Sequence, residues 1–125
     1  MNIQPNQKEP QQITSFDDKI IAIDEKEYSN SIIITNHLIR PWAPKHIDQL
    51  KSQDFEELIA AKPEVILLGT GKHFHRPTQR LLAAVYNAQI GIEWMDTRAA
   101  CRSYNILLGD CRKVATALII EKNHD

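Results

Sequence analysis

Short apolar runs alternate with helical patterns after residue 63, and this alternation constrains the fold more than any other feature of the sequence. Residues 65–68 are all apolar, as expected for a strand covered on both faces. Two further strands are expected at Gly91–Met95 and at residues 114–120. Crossovers between parallel strands are nearly always right-handed. The order therefore predicts a β-α-β-α-β unit in which helices pack on a parallel sheet.

The helices between these strands are marked by the residues at their ends. Pro77 suits the first helical position of one helix. Asp96-Thr97 offers N-cap side chains for the next helix, which Gly109 ends. An earlier, shorter helix is expected between an N-cap at Asp54 and Pro63, which stops it. Each predicted helix carries apolar residues at helical spacing, and these can face the sheet.

The first third of the chain contains short clusters of β-branched and aromatic residues. Strands are expected at Ile13–Phe16 and at residues 19–23, 31–35 and 37–42. The turn-forming residues between the first three strands predict an antiparallel meander. The predicted fold class is therefore α/β: one compact layered domain with a mostly parallel central sheet, helices packed on it, and an N-terminal antiparallel β section.

The length of 125 residues fits a single domain. We assign residues 13–121 to that domain and predict a disordered leader at 1–12 and a solvated tail at 122–125. The leader is polar and lacks the apolar segment of a secretory signal. A formal net charge of −1 argues against a nucleic-acid partner and gives no reason to expect a membrane-surface partner. The apolar runs fall far short of the ~20 residues that span a bilayer, so no membrane insertion is expected.

Both cysteines are expected to be reduced. Cys101 and Cys111 lie ten positions apart, partly across a predicted helix, which puts their Cα atoms beyond the ~7 Å that a disulfide tolerates. Reduced thiols are typical of the cytoplasm, which is the predicted localisation. Cys101 lies in the first turns of its helix, where the dipole favours a thiolate. It also adjoins the apolar stripe, and a buried inert thiol is the favoured interpretation.

The turn after the central apolar strand is the most informative candidate site. It consists of Gly69, Thr70 and Gly71, followed by the basic residues Lys72, His73, His75 and Arg76. Glycines allow close backbone approach, and N–H groups at a helix N-terminus can hold a small anion. The turn matches neither a dinucleotide fingerprint nor a Walker loop. The alternative interpretation is a tight turn between strand and helix with solvated charges.

A second candidate stretch borders the same cleft if its strand lies beside the first. Its residues are Glu93, Asp96, Thr97, Arg98 and Cys101. Open α/β sheets bind ligands at the carboxyl ends of their parallel strands, where the two stretches would meet. Glu93 sits in an apolar strand and is expected to be buried. It would act there as a general acid or base, or pair structurally with Arg98 or Arg112.

Two histidine and arginine patterns are interpreted as ordinary surface features. His73 and His75 supply two ligands on a turn without a matching carboxylate or cysteine pair, so no metal is expected. Arg98, Arg102 and Asn105 recur on one side of the last helix, and a solvated helix face is the favoured interpretation. The sequence also indicates no cofactor.

Trp42 is the candidate residue for partner binding. It lies between Pro41 and Pro44, which keep the chain extended. An exposed tryptophan there would be an anchor for a partner protein. Alternatively, the same side chain covers the open end of the core.

An ordered set of motifs resembles one known family. The segments that carry the resemblance are residues 39–42, 63–71, 91–97, 100–101, 104–105 and 112–118. Together they resemble the small α/β family that includes mitochondrial respiratory complex I assembly factor 3 and the adipogenesis-associated domain protein. The match covers nearly everything from residue 13 to residue 120, and the chain looks like a bacterial member. The resemblance implies a compact α/β fold, no established catalytic activity or cofactor, and action by binding other proteins.

Two functions from different classes follow from these observations. The first is a non-enzymatic binding protein, an assembly factor for a respiratory or other membrane-associated complex, with other proteins as partners. The alternative is a small anionic-ligand binder or enzyme that uses the cleft at the carboxyl ends of the parallel strands. An exposed apolar patch or a patch centred on Trp42 would favour the first. A deep polar cleft where Glu93 and Cys101 converge would favour the second.

Overall fold

The computed structural model describes residues 11–109 and 113–122, and its strands form two sheets. A three-stranded antiparallel sheet, the small sheet, contains β1 (Ile13–Phe16), β2 (Ile21–Ile23) and β3 (Lys26–Tyr28). The central sheet contains β4 (Ile32–Thr35), β5 (Leu38–Pro41), β6 (Val65–Gly69), β7 (Gly91–Met95) and β8 (Val114–Leu118). The α-helices are α1 (Glu56–Ala60), α2 (Gln79–Asn87) and α3 (Thr97–Gly109), and 3-10 turns occur at Ile47–Gln49 and Ser52–Phe55.

The central sheet has the strand order β5-β4-β8-β6-β7. β6 pairs in parallel with both β7 and β8, whereas β4 pairs antiparallel with β5 and β8. Since β5 in turn runs opposite to β4, β4 is the strand that points against the other four. The predicted α/β class with an N-terminal antiparallel section is therefore confirmed, although the central sheet is mixed.

Residues 31–35 do not belong to the predicted meander. Ile32, Ile33 and Ile34 are all buried, because β4 lies inside the central sheet and is covered on both faces. Ile21 and Ile23 of β2 are buried on one face, as expected for a sheet that packs on a neighbour. The third strand of the meander is instead β3, a polar segment that the sequence analysis missed.

Two apolar cores lie on opposite faces of the central sheet. Ile66 and Leu68 of β6 point into the core beneath α1 and α2, together with Val85 of α2. Leu67 points the other way, into the core formed with Tyr104 of α3 and the buried residues of the small sheet. The continuous apolar run of β6 is thus explained by cover on both sides.

The helix ends differ in part from those predicted. α2 begins at Gln79 rather than at Pro77, and Thr78 is its N-cap, with Oγ1 accepting a hydrogen bond from the Leu81 N–H at 3.3 Å. Asp96 caps α3 as expected, with Oδ1 accepting from the Ala99 N–H at 2.8 Å. Asp54 is not an N-cap. It is the third residue of the turn Ser52–Phe55, and its Oδ2 accepts from the Lys51 N–H at 2.8 Å.

Some predictions fall on residues outside the described ranges. Cys111 and Arg112 are among them, so the predicted absence of a Cys101–Cys111 disulfide and the Glu93–Arg112 pair stay predictions. The same holds for nearly all of the leader and the tail, although the carbonyl of Gln11 accepts a hydrogen bond from the Tyr104 hydroxyl at 2.7 Å. Among the helices that the structure describes, none has the length and apolar character needed to cross a bilayer.

Candidate functional site

The two predicted site stretches meet at the carboxyl ends of the parallel strands. The N-terminus of α3 lies directly against the turn after β6, because the Thr70 N–H donates to the Met95 carbonyl at 2.8 Å. The Thr97 N–H donates to the Gly71 carbonyl, also at 2.8 Å. A Cβ on Gly69 would lie 2.9 Å from the Thr97 Cα, so glycine is required for this approach. Gly69, Thr70, Gly71, Asp96 and Thr97 thus form one structural unit.

The polar groups of this unit are used within the protein. The Gly71 N–H donates to Thr97 Oγ1 at 2.9 Å, and the Thr97 hydroxyl donates to the Ile119 carbonyl at 2.7 Å. Thr70 and Thr97 are fully buried. An anion held by a helix N-terminus needs free N–H donors. Here the N–H groups of Gly71 and Thr97 are already bonded, so the turn is closed by its own hydrogen bonds and these two donors are not free for an anion.

A carboxylate of the protein itself reaches this turn. Gly71 has φ of +109°, and a Cβ added there would lie 2.5 Å from Glu121 Oε2. The side chain of Glu121 is 14% exposed and lies 3.5 Å from His46 Nε2. The position next to Gly71 is therefore acidic rather than anion-attracting. Lys72, the predicted cation of the site, is exposed on the loop that follows.

The loop after Gly71 is held in a defined shape by Thr70. The Thr70 hydroxyl donates to the His73 carbonyl at 2.7 Å and accepts from the His75 N–H at 3.3 Å. These two bonds flank Phe74, whose side chain is 63% exposed. We call residues 72–76 the basic-aromatic loop, since an exposed phenylalanine is surrounded there by lysine, histidine and arginine.

The sequence analysis missed a cluster near this loop that consists of His46, Asp48 and Glu121. The ring centroids of His46 and His75 are 6.1 Å apart, and Glu121 lies beside His46. His46 Nδ1 accepts from the Asp48 N–H at 3.2 Å. Within the described residues no group of three or more potential ligands has the geometry of a metal site. Glu121 is 75 positions from His46, too far for a spacing motif to have linked the two.

Glu93 is exposed, so the expectation of a buried carboxylate is wrong. It is the middle residue of β7, which lies at the edge of the central sheet. An edge strand keeps one side open to solvent, and this explains how an acidic side chain fits between apolar neighbours. Glu93 and Cys101 do not converge in one cleft: Glu93 faces solvent on the edge strand, whereas Cys101 is buried under α3.

Arg98 and Cys101 belong to the contact between α3 and the small sheet. Arg98 donates to the Phe16 carbonyl at 3.2 Å, pairs with Asp18 at 3.1 Å, and lies 5.4 Å from the centroid of the Phe16 ring. The Asn105 amide donates to the Ile13 carbonyl and accepts from its N–H, both at 2.8 Å. The favoured interpretation of Arg98, Arg102 and Asn105 as a solvated helix face is therefore wrong for Arg98 and Asn105, which bind the free edge of β1, whereas Arg102 is exposed.

Burial controls the chemistry of Cys101. Its side chain packs in the core beneath α3 and the residue is 4% exposed. Desolvation raises the pKa of the thiol to about 12, an effect that nearby Arg98 opposes. A thiol with this pKa stays protonated at neutral pH, which removes the nucleophile that the helix N-terminus was expected to favour. Desolvation likewise raises the pKa of Tyr104 to about 12.

Trp42 is a core residue, so its assignment as an exposed partner anchor is wrong. It is 8% exposed, and its ring meets that of Phe55 edge-on with centroids 6.2 Å apart. The indole Nε1–H donates to the Asp54 carbonyl at 2.9 Å. The alternative interpretation, a side chain that covers the open end of the core, describes this position.

Three clefts of the described structure differ from the predicted cleft, although one of them includes two of its residues. One of about 200 Å³ lies between β1 and α3 and includes Arg98 and Cys101. Two others, of about 250 and 510 Å³, share Tyr28 and Ile39 and lie between β3 and β5. The turn after β6 lines none of these three.

Fold and site together define a class: α/β domains with a mixed five-stranded sheet, a small sheet fastened to the last helix, and a closed turn at the carboxyl edge. The chain belongs to the family described as "Protein of unknown function (DUF498/DUF598)", whose model matches residues 13–119. The resemblance noted from the sequence is thereby confirmed.

Three similar proteins illustrate this family. A crystal structure from Bordetella parapertussis superposes with a TM-score of 0.85 at 27% identity and covers 91% of this chain and 98% of that one. The "13 kDa major membrane protein" of Francisella tularensis is 26% identical over 95 residues, which are 74% of this chain and 77% of the relative. "NADH dehydrogenase [ubiquinone] 1 alpha subcomplex assembly factor 3" of Xenopus tropicalis is 29% identical over 70 residues, 56% of this chain but 38% of that protein.

Proposed function

We propose that this chain is a non-enzymatic protein-binding factor that acts in the cytoplasm and assists the assembly of a membrane-associated complex. Two relatives support this proposal by their names, one an assembly factor for NADH dehydrogenase and the other a membrane protein. The closed turn at the carboxyl edge argues against the alternative, a small-anion site, because the N–H groups of Gly71 and Thr97 are already bonded and Glu121 approaches Gly71.

The observation that carries the proposal is the free edge of β7. The Gly91 N–H donates to the Glu64 carbonyl at 3.2 Å, and the Met95 carbonyl accepts from the Thr70 N–H at 2.8 Å. In a parallel ladder, alternate residues direct their backbone groups to the same neighbour. The N–H and C=O groups of Ile92 and Trp94 therefore point away from β6, and within the described ranges no backbone group pairs with them. An extended segment of a partner can add to such an edge by β-augmentation.

Glu93 selects the kind of strand that can pair there. If two copies of β7 paired antiparallel about Glu93, the two carboxylates would lie directly opposite each other, which is destabilising. A partner strand with lysine or arginine opposite Glu93 would form a favourable cross-strand pair instead. The partner surface we propose is thus the β7 edge, and its occupant is an extended segment with a basic residue at the centre.

The test compares two exposed glutamates that lie in the middle of edge strands, Glu93 in β7 and Glu27 in β3. A photo-crosslinking amino acid is placed at either position in the full chain, in cells that naturally produce it, and crosslinked proteins are identified by mass spectrometry. We expect position 93 to capture subunits of a membrane-associated complex that position 27 does not capture.

Charge reversal provides the matched control. Glu93→Lys, analysed by co-purification of the identified subunit, should lower recovery at least fivefold, whereas Glu27→Lys should leave it unchanged. Both positions are exposed, so both variants are expected to fold, which circular dichroism verifies. Equal capture at the two positions, or equal recovery with both variants, would contradict the proposed surface.

A further inference from the structure

We propose that the basic-aromatic loop, residues 72–76, is a docking site for an anionic membrane surface. This goes beyond the protein partner proposed above and does not depend on it. Phe74 is 63% exposed, whereas most large apolar residues of the chain are buried. An exposed aromatic side chain flanked by cations is the combination that lets a protein lie at a lipid interface.

The loop presents Phe74 to solvent through fixed contacts. Buried Thr70 binds the backbone on both sides of Phe74, through the His73 carbonyl and the His75 N–H. Pro77, which follows the loop, is buried. Because the backbone is held on both sides of Phe74, the aromatic residue is kept at the tip and binding costs little backbone freedom.

Positive charge surrounds this tip although the whole chain has a net charge of −1. The loop carries the exposed cations Lys72 and Arg76, and the exposed Lys45 and Lys122 adjoin residues that approach it. Lys45 precedes His46, whose ring lies near that of His75, and Lys122 follows Glu121, which reaches Gly71. The acidic groups in the same region are Asp48, Asp96 and Glu121. The cations outnumber these acidic groups, so the basic-aromatic loop complements an anionic surface although Glu121 makes the turn at Gly71 itself acidic.

A planar lipid headgroup layer fits this arrangement better than an acidic protein does. Lys72 precedes Phe74 and Arg76 follows it, so the ring can enter the interface while both cations stay at the level of the phosphates. Each basic residue near an anionic membrane raises the affinity about fivefold. One aromatic ring and a few cations give binding that is reversible and sensitive to salt.

The experiment is vesicle co-sedimentation of the full chain. The probes are vesicles of phosphatidylcholine alone and of phosphatidylcholine with phosphatidylglycerol at 7:3, at low and high salt. We expect the wild type to bind the anionic vesicles at least tenfold more tightly than the neutral ones, with binding lost at high salt. Phe74→Ser should weaken binding at least fivefold, and Lys72→Glu with Arg76→Glu at least tenfold.

Ile106 supplies the matched control, since it is 66% exposed and lies in α3 about 14 Å along the helix axis from Thr97, the first residue of that helix. Ile106→Ser should leave vesicle binding within twofold of the wild type. A second readout is Phe74→Trp, whose emission should shift to shorter wavelength with anionic vesicles.

Three results would overturn the inference. The first is equal affinity for both vesicle types, and the second is an equal loss of vesicle affinity in Phe74→Ser and Ile106→Ser. The third is Phe74-dependent binding to soluble polyglutamate without binding to vesicles. The last result would indicate an acidic protein as the partner. None of the variants changes the β7 edge, so failure here leaves the crosslinking test of the proposed function unaffected.

Discussion

Replacing Thr97 by valine should destabilise the fold more than the same replacement at Thr116. Both threonines are fully buried and both changes exchange a hydroxyl for a methyl group. Thr97 Oγ1 binds the Gly71 N–H and the Ile119 carbonyl, at 2.9 and 2.7 Å. The hydroxyl of Thr116 has no hydrogen-bond partner in the described part of the chain. Comparing the two variants therefore separates the contribution of the hydrogen bonds to stability from the contribution of the side-chain shape.

The magnitudes follow from the groups that are left unpaired. Thr97→Val leaves a buried N–H and a buried C=O without partners, each at a cost of about 1–3 kcal/mol. The added methyl group returns about 1 kcal/mol, so we expect a net loss of about 1–5 kcal/mol. Thr116→Val removes a buried polar atom that gains nothing from its burial, and should raise the stability by about 1 kcal/mol.

Urea unfolding followed by circular dichroism measures both effects as changes in midpoint at constant m value. In a domain of this size each kcal/mol also moves the thermal midpoint by about 3–5 °C. If Thr116→Val lost as much stability as Thr97→Val, the effect would come from the loss of threonine itself. The hydrogen bonds that close the turn would then make no measurable contribution to the free energy of unfolding.

Further predictions concern packing and ionisation. Gly69→Ala should lower the free energy of unfolding by about 1–3 kcal/mol because the added Cβ meets the backbone of α3. At Gly109 an added Cβ meets no atom within 4 Å, so Gly109→Ala should raise the free energy of unfolding by up to about 1 kcal/mol. Equal urea midpoints for the two would contradict the steric argument. In a Cys111→Ser background, alkylation of Cys101 at pH 8 should be about a thousandfold slower in the folded than in the unfolded chain, since its pKa is raised to about 12. The pKa values of Cys101 and Tyr104 in the folded chain, both about 12, exceed those of the free groups, 9.0 and 10.0. The folded state is therefore favoured in full below pH 9, and the free energy of unfolding falls as the pH rises towards 12. A urea midpoint that does not fall across this range would refute it.

Strands and helices with strong local patterns were predictable from the sequence. The apolar run of β6 and the capping residue Asp96 of α3 lie where they were expected. The antiparallel segments were harder, because three consecutive isoleucines in β4 show that a strand is buried but do not show which sheet contains it. β3 carries lysine and glutamate and has no apolar pattern, so its pairing with β2 depends on the neighbouring strand.

The position of the candidate site was predictable, but its chemistry was not. The crossover order indicated that the turn after β6 meets the start of α3, and the hydrogen bonds between Thr97 and Gly71 show this contact. Sequence patterns do not reveal whether such donors are free, since Glu121 approaches from the far end of the chain. For the same reason, the pairing of Arg98 with Asp18 could not be read from the helix alone.

The position of β8 has a consequence for how the chain is made. This last strand lies between β4 and β6 and joins the two parts of the central sheet, with Ile32 opposite Leu118 and Val65 opposite Val114. While the ribosome is still synthesising residues before 114, the β4–β5 hairpin and the β6–β7 pair have no common strand. Closure of the sheet therefore waits until residues 114–118 have been made, and a nascent chain exposes two strand edges until that moment.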